Sequence, residues 1–310
     1  IYISHRMEEL YQLCDAVSVI RDGQNATSLS TATSRPADVV SAMLGKALAG
    51  SIQEASLTAG KHPRLGPGHR GKVLIAARNL AEEGKVAPTN FDLHEGEVLG
   101  FTGLVGSGHS ELVALIAGAR QKTSGTVLFE GKPVSFSSPR DAIKRGVGYL
   151  PQDRKAHGFI PDMSVTDNMS LASLPMFSRF GLINDRRISS TARQLAARLE
   201  MRIYGVGQAM KTLSGGTQQK GILARWLMRS ARLLICDEPT RGVDVGAKEE
   251  MYALIADFAR AGGTVIIASS EISEAILCDR VFVMARGHIV AELDHDEVGA
   301  DGEEIIRRFA

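Results

Sequence analysis

The sequence predicts an α/β fold organised around a mostly parallel sheet. From Lys72 onward, short β-rich runs alternate with helical stretches, the order that parallel strands joined by helical crossovers produce. Runs such as LLIC and TVIIA are too continuously apolar for strands with one wet face, so they read as strands buried on both sides. Between Pro151 and Lys211 the pattern turns mostly helical and suits an inserted helical subdomain.

Taken in order, IYISHRMEEL reads as a strand end running into a helix, and predicts a domain whose beginning lies before Ile1. It has neither the basic start nor the apolar run of a secretion signal. CDAVSVIRDG, Cys14 to Gly23, alternates as a strand closed by a glycine turn does. RPADVVSAMLGK reads as a short helix with Pro36 near its start, similar to the final DGEEIIRRFA. Ala47 to Gly71, ending GKHPRLGPGHRG, is rich in Gly and Pro without periodicity and reads as a linker. KVLIAARNL, EVLGFTG, GTVLFEG and GVGYLPQ follow as strands, with SELVALIAGAR as a helix among them. LARWLMRSA and EEMYALIADFARAG carry helical spacing, and RLLICDEP, GTVIIASS and RVFVMARG read as strands.

Composition sets outer limits on function. Thirty-six Lys plus Arg against 35 Asp plus Glu leave a formal charge of +1, so no global field draws the chain to nucleic acid or anionic lipid. The three cysteines, Cys14, Cys236 and Cys278, lie far apart without metal-ligand spacing, which argues against a disulfide framework or structural zinc and fits a reducing compartment. The apolar runs fall far short of the roughly 18 residues that a membrane span needs. Any membrane role is then exercised through a partner.

An internal repeat organises the 310 residues. CDAVSVIRDG recurs as CDRVFVMARG at Cys278 to Gly287, and each copy follows a β-rich run, a serine and an acidic helix. A spacing of 264 residues is that of whole domains. The expected layout is the C-terminal end of a first domain over 1–46, a linker over 47–71, and a second, similar domain over 72–310 with its helical subdomain at about 151–230.

Three stretches carry chemistry. GLVGSGHS, Gly103 to Ser110, sits between a strand and a helix, where glycines let backbone N–H groups and a helix N-terminus face anionic oxygens. RLLICDEPT, Arg232 to Thr240, is an apolar strand ending in two carboxylates, at the strand end where ligands bind in open α/β sheets. There Asp237 and the Ser110 hydroxyl are placed to hold Mg²⁺, and Glu238 to polarise an attacking water. In LSGGTQQKGILARWL, Leu213 to Leu227, Ser214 reads as an N-cap, and Gly215 and Gly216 leave the first helical amides open.

Together these motifs resemble the ABC ATPase family, whose signature LSGG(Q) stands here at Leu213, Ser214, Gly215 and Gly216, with Thr217 before Gln218. The resemblance implies a P-loop NTPase fold of ABC type: a mostly parallel core sheet, an antiparallel β part and an inserted helical subdomain. It implies ATP and Mg²⁺ as ligands. The ATP-binding segment is then Gly103, Leu104, Val105, Gly106, Ser107, Gly108, His109, Ser110 and Glu111, with Mg²⁺ held by Ser110, Gln152 and Asp237. The implied catalytic residues are Glu238, the Q-loop Gln152 and the switch histidine His5, and Asp244 matches the D-loop. More closely, GLVGSGHSEL, PQDRKAHGF and DEPTRGVDVGAK look like the second half of the double-domain ATPases of bacterial monosaccharide importers of the ribose, galactose and xylose type. That subgroup implies a place on the cytoplasmic face of the bacterial inner membrane. It also implies integral membrane permease subunits as partners, indirect service to a periplasmic sugar-binding protein, intramolecular pairing with the first ATPase domain, and no nucleic acid.

Three departures fall on one site. His109 stands where the family has the lysine that reaches the β- and γ-phosphates, and an imidazole is shorter and carries no fixed charge. ASSE, Ala268 to Glu271, has serines where the first copy has Ser4-His5, and spacing leaves Ser269 and Ser270 open as the equivalent. The segment AEEGKVAPTN, Ala81 to Asn90, lacks the adenine-stacking aromatic, and Phe91 reads as a core strand residue. The expected arrangement is a quiet site around His109 and a working site that pairs this chain's signature with the first domain. Two other readings stay open: a soluble non-transport ABC protein, disfavoured by the missing charged linker, coiled coil or zinc insert, and a nucleotide-binding or interaction module without hydrolysis of its own.

Overall fold

The computed structural model describes residues 1–3, 7–21, 24–35, 38, 39, 42, 65, 66 and 71–298. His5, Pro36, nearly all of the expected linker and the closing DGEEIIRRFA lie outside the described residues. The chain divides into two compact units, one of 1–63 with 242–250 and one of 64–241 with 251–310.

In the smaller unit, helix α1 (Met7–Leu13) leads into β1 (Ala16–Arg21), which pairs antiparallel with β2 (Gln24–Ser30). Leu10, Val17, Val19 and Val39 form its apolar core. The alternation seen in the sequence places Val17 and Val19 inward on one strand face.

The larger unit is built on two sheets. Its antiparallel sheet has the order β4-β3-β6-β7, with β3 (Val73–Glu82), β4 (Val86–His94), β6 (Ser124–Phe129) and β7 (Lys132–Val134). The second sheet uses β5 (Val98–Thr102), β8 (Val147–Leu150), β11 (Leu233–Asp237), β12 (Thr264–Ser269), β13 (Arg280–Ala285) and β14 (His288–Asp294). Their order is β14-β13-β5-β12-β11-β8, parallel throughout except for the antiparallel edge strand β14.

Alternate residues of the parallel strands serve two cores. Leu99, Phe101, Ile235, Ile266 and Phe282 face helix α2 (His109–Ile116) and the antiparallel sheet, whereas Val98, Leu234, Cys236, Val265 and Ile267 face the helical side. Phe91, from β4, meets Phe101 edge-on at 5.1 Å, so it is a core residue at 5 % exposure. Burial on both faces is why LLIC and TVIIA show no alternation.

Helix α3 (Pro139–Lys144) precedes β8. The region after Pro151 is helical but broken. It holds a π-turn at Arg154–Gly158, helix α4 (Val165–Ser170), a 3-10 turn at Leu174–Phe177, a hairpin of β9 (Ser178–Arg179) and β10 (Leu182–Ile183), then helix α5 (Asp185–Arg198). A 3-10 turn at Met210–Thr212 leads to helix α6 (Gly215–Met228). Helix α7 (Val245–Arg260) precedes β12, and the short α8 (Ile272–Ala275) follows it.

Candidate nucleotide-binding site

At the C-terminal end of β5 the chain turns through Gly103 to Gly108 before α2 begins. Gly103, at φ +156°, passes so near the Met284 carbonyl oxygen that a Cβ would lie 2.2 Å from it. Gly108, at φ +101°, opens α2 from the left-handed region with no side-chain cap. The Ser107 amide donates to the Leu104 carbonyl at 2.9 Å and closes the turn, leaving Leu104, Val105 and Gly106 at the surface. Glu111 sits in the first helical turn.

His109 points inward. It is 3 % exposed; its Nδ1 lies 2.7 Å from Ser107 Oγ, and its Nε2 lies 3.4 Å from Glu238 Oε1. To face a carboxylate, Nε2 must carry the hydrogen, so in a neutral ring Nδ1 accepts from the Ser107 hydroxyl. Both ring nitrogens are therefore engaged by protein groups.

Glu238 is held from the other side as well. Its backbone sits at φ +49°, its amide donates to the Ala268 carbonyl at 2.8 Å, and its Oε1 accepts the Ser270 amide at 2.9 Å. Burial pushes the Glu238 carboxyl up, but the hydrogen bonds from His109 and Ser270 outweigh it and hold the group below its ordinary value. Of the two serines that the sequence left open, Ser270 is the one that meets this acid. Ser269 ends β12 and accepts the Glu271 amide at 3.0 Å.

The neighbouring acid, Asp237, ends β11. Ser110 Oγ donates to its Oδ1 at 2.6 Å and the Tyr149 hydroxyl to its Oδ2 at 2.9 Å. Burial raises the Asp237 carboxyl despite both bonds. Ser110, Gln152 and Asp237 line one cleft of about 810 Å³, together with Tyr149, Arg225 and Trp226. A hydroxyl, a carboxylate and a carboxamide lining the same cleft are the hard oxygen donors that suit Mg²⁺ alongside phosphate oxygens. A second cleft of about 580 Å³ flanks Gly106 and Gly108 and is lined by Lys85, Val86, Pro88, Arg286 and His288, with no Phe, Tyr or Trp.

The signature opens α6. Ser214 Oγ accepts the Thr217 amide at 3.4 Å as N-cap, Ser214 is exposed, Gly215 half-buried, and Leu213 and Gly216 are buried. Gln218 points inward, donating to the Met210 and Leu213 carbonyls at 3.2 and 3.1 Å. Gln219 donates to the Pro239 carbonyl at 2.8 Å, tying α6 to the segment after Glu238. Arg154 donates to the Arg241 carbonyl at 2.7 Å and reaches Gln218 Oε1 at 3.5 Å, so the DRK run braces the same region. Asp244 is exposed and accepts the Ala247 amide at 3.0 Å where α7 begins.

Sequence reasoning missed Tyr149 and a buried network around Glu274. Thr240 donates to Glu274 Oε1, and the Tyr252 hydroxyl donates to the same oxygen at 3.2 Å. Burial pushes the Glu274 carboxyl up to about 7 against the pull of Thr240 and Ser269. The signal available for Tyr149 was its position three residues before Gln152; for Glu274 there was none beyond an acid on a short helix.

A family model described as ABC transporter matches residues 86–241, half of the chain. The chain belongs to the ABC transporter family. This cassette is 38 % identical to the ribose import ATP-binding protein RbsA of Shouchella clausii (strain KSM-K16), over 100 % of the chain and 60 % of that protein. It is 43 % identical to RbsA 1 of Burkholderia ambifaria, over 94 % of the chain and 55 % of that protein. It is 40 % identical to a putative ribose/galactose/methyl galactoside import ATP-binding protein of Rhizobium meliloti, over 94 % and 57 %. The chain thus spans less than two thirds of the length of these relatives. Among solved structures, cbiO1 from Clostridium perfringens, part of the cbiONQ complex, superposes with a TM-score of 0.62 at 27 % identity, over 76 % of this chain and 94 % of that one. A nucleotide-free ATP-binding cassette from an ABC transporter gives 0.64 at 19 % identity, over 76 % and 95 %, and shares the fold. Among the described residues no helix is long and apolar enough to cross a membrane.

Proposed function

We propose that this chain is the second half of a double-domain ATPase that energises import of a monosaccharide across the bacterial inner membrane. It works on the cytoplasmic face through integral permease subunits served by a periplasmic sugar-binding protein. Its similarity to sugar-import ATP-binding proteins that are longer than itself supports that reading. So does the internal repeat. With Cys14 aligned on Cys278, the hairpins β1-β2 and β13-β14 carry their register shifts at equivalent places, Val19/Ile20 and Val283/Met284.

The division of labour follows from one observation: His109 is spent on Ser107 and Glu238 inside the protein. The residue in the phosphate-lysine position brings no charge to the loop's open side, and the acid that would polarise water is bonded to it. ATP at this loop is then held by backbone amides at the start of α2 and by Ser110, without turnover. Ser110, Asp237 and Gln152 would hold Mg²⁺, which neutralises charge on phosphate oxygens when bound. Ser214, Gly215 and Gly216 present the open amides of α6 to a nucleotide held by the first domain, whose switch histidine is His5 and which pairs intramolecularly with this one. Asp244 would serve as the D-loop of this domain.

ATP turnover of the 310-residue chain is compared with that of a longer polypeptide extending through the first domain. The expected result is turnover in the longer protein and almost none in the chain alone. Equal turnover per signature motif contradicts the shared-site reading.

A further inference from the structure

The near-neutral total charge conceals a local excess. Between Ser178 and Arg202 the chain has six arginines, Arg179, Arg186, Arg187, Arg193, Arg198 and Arg202, against two carboxylates, Asp185 and Glu200, within a chain whose total is +1. All six arginines are exposed. Helix α5 buries Ile188, Ala192 and Ala196 on its inner stripe, which leaves its arginines to the outer face. Among the described residues none of the six forms an ion pair with a carboxylate.

An apolar tip adjoins this basic face. In the β9-β10 hairpin Phe180 is 91 % exposed and Leu182 77 %, with Ile183 and, in the preceding 3-10 turn, Met176 also exposed. Phe180 and Gly181 take φ of +53° and +80°, a primed turn that holds a bulky ring in the left-handed region and away from any core. The tip is fixed to the helix, because the Asn184 amide donates to the Phe177 carbonyl at 3.0 Å and Asn184 Oδ1 caps α5 by accepting the Arg187 amide at 3.0 Å. Arg187 lies over the Phe177 ring at 5.4 Å, and Arg179 over Phe180 at 5.3 Å. Solvent-facing apolar groups interleaved with guanidinium groups that have no carboxylate partner match the boundary between phospholipid headgroups and acyl chains.

We propose that the Phe180 hairpin and the arginine face of α5 dock on an anionic phospholipid bilayer, the hairpin tip entering the headgroup boundary and the arginines meeting lipid phosphates. The choice of a bilayer rests on the membrane-side placement proposed above, and charge complementarity supports it. Each arginine near an anionic surface contributes on the order of 1 kcal/mol, about fivefold in partitioning.

Flotation of the 310-residue chain with phosphatidylglycerol-rich vesicles and with pure phosphatidylcholine vesicles tests this, without nucleotide or permease. The chain is expected to float with the anionic vesicles alone and to be released by salt. Arg186→Glu with Arg193→Glu should weaken partitioning at least tenfold, and Phe180→Ser with Leu182→Ser several-fold, with unchanged circular dichroism. Failure to float with anionic vesicles overturns the proposal, as does equal flotation of the charge-reversed variant. Binding only to vesicles carrying permease, whatever their lipid charge, also overturns it and assigns the face to a protein partner. None of these outcomes bears on ATP turnover, so failure here leaves the shared-site reading to its own test.

Discussion

His109 shows what one residue conveys and what only the fold adds. Its identity was enough to remove a fixed charge from the phosphate loop. Its destination was not legible, because the contact with Glu238 joins residues 129 apart and exists only once β5 and β11 lie in one sheet. The choice between Ser269 and Ser270 was hidden for the same reason. Glu274 yields a prediction of its own. Its carboxyl is raised to about 7, so the folded state binds the proton more tightly than the unfolded chain does. Stability from this group is therefore present at acid pH and is lost as pH climbs from the ordinary carboxylate range through about 7, by up to about 3 kcal/mol. The thermal midpoint should fall between pH 5 and pH 8, and Glu274→Gln, which keeps an acceptor for Thr240 and Tyr252, should flatten that fall. An equally steep profile in the variant would remove Glu274 as its cause.

At the scale of elements, the strands and long helices were legible because burial imposes a period on them, or erases it where both faces are covered. The Ser178–Ile183 hairpin was not, since two-residue strands offer no period and the stretch passed as part of a helical insertion. β14 escaped too: exposed along most of its length, HIVAELD lacks the apolar run that marks the inner strands. Two substitutions test how the elements are held. Gly103→Ala puts a Cβ against the Met284 carbonyl in a backbone region that favours glycine, and should cost about 2–4 kcal/mol in denaturant unfolding. Asn184→Ala removes the cap of α5 and should cost about 1 kcal/mol while loosening the hairpin, read as faster amide exchange at Arg187.

Across the whole molecule, the repeat was the most informative sequence feature, since ten residues carry it and the same strand irregularity recurs in both hairpins. Its functional meaning rests on asymmetry. The described site brings Ser110, Gln152 and Asp237 to one cleft and closes His109 on Glu238, while the signature serine stays exposed at the head of α6. Single-residue changes in the longer two-domain protein separate these contributions. Gly215→Asp sets a carboxylate where the open amides of α6 would meet phosphate, whereas His109→Ala removes a side chain already turned away from it. ATP turnover of the two variants side by side is the most direct measurement. Under the shared-site reading, Gly215→Asp loses at least a hundredfold, equivalent to about 2.7 kcal/mol, and His109→Ala changes less than threefold. Comparable losses in both would contradict it.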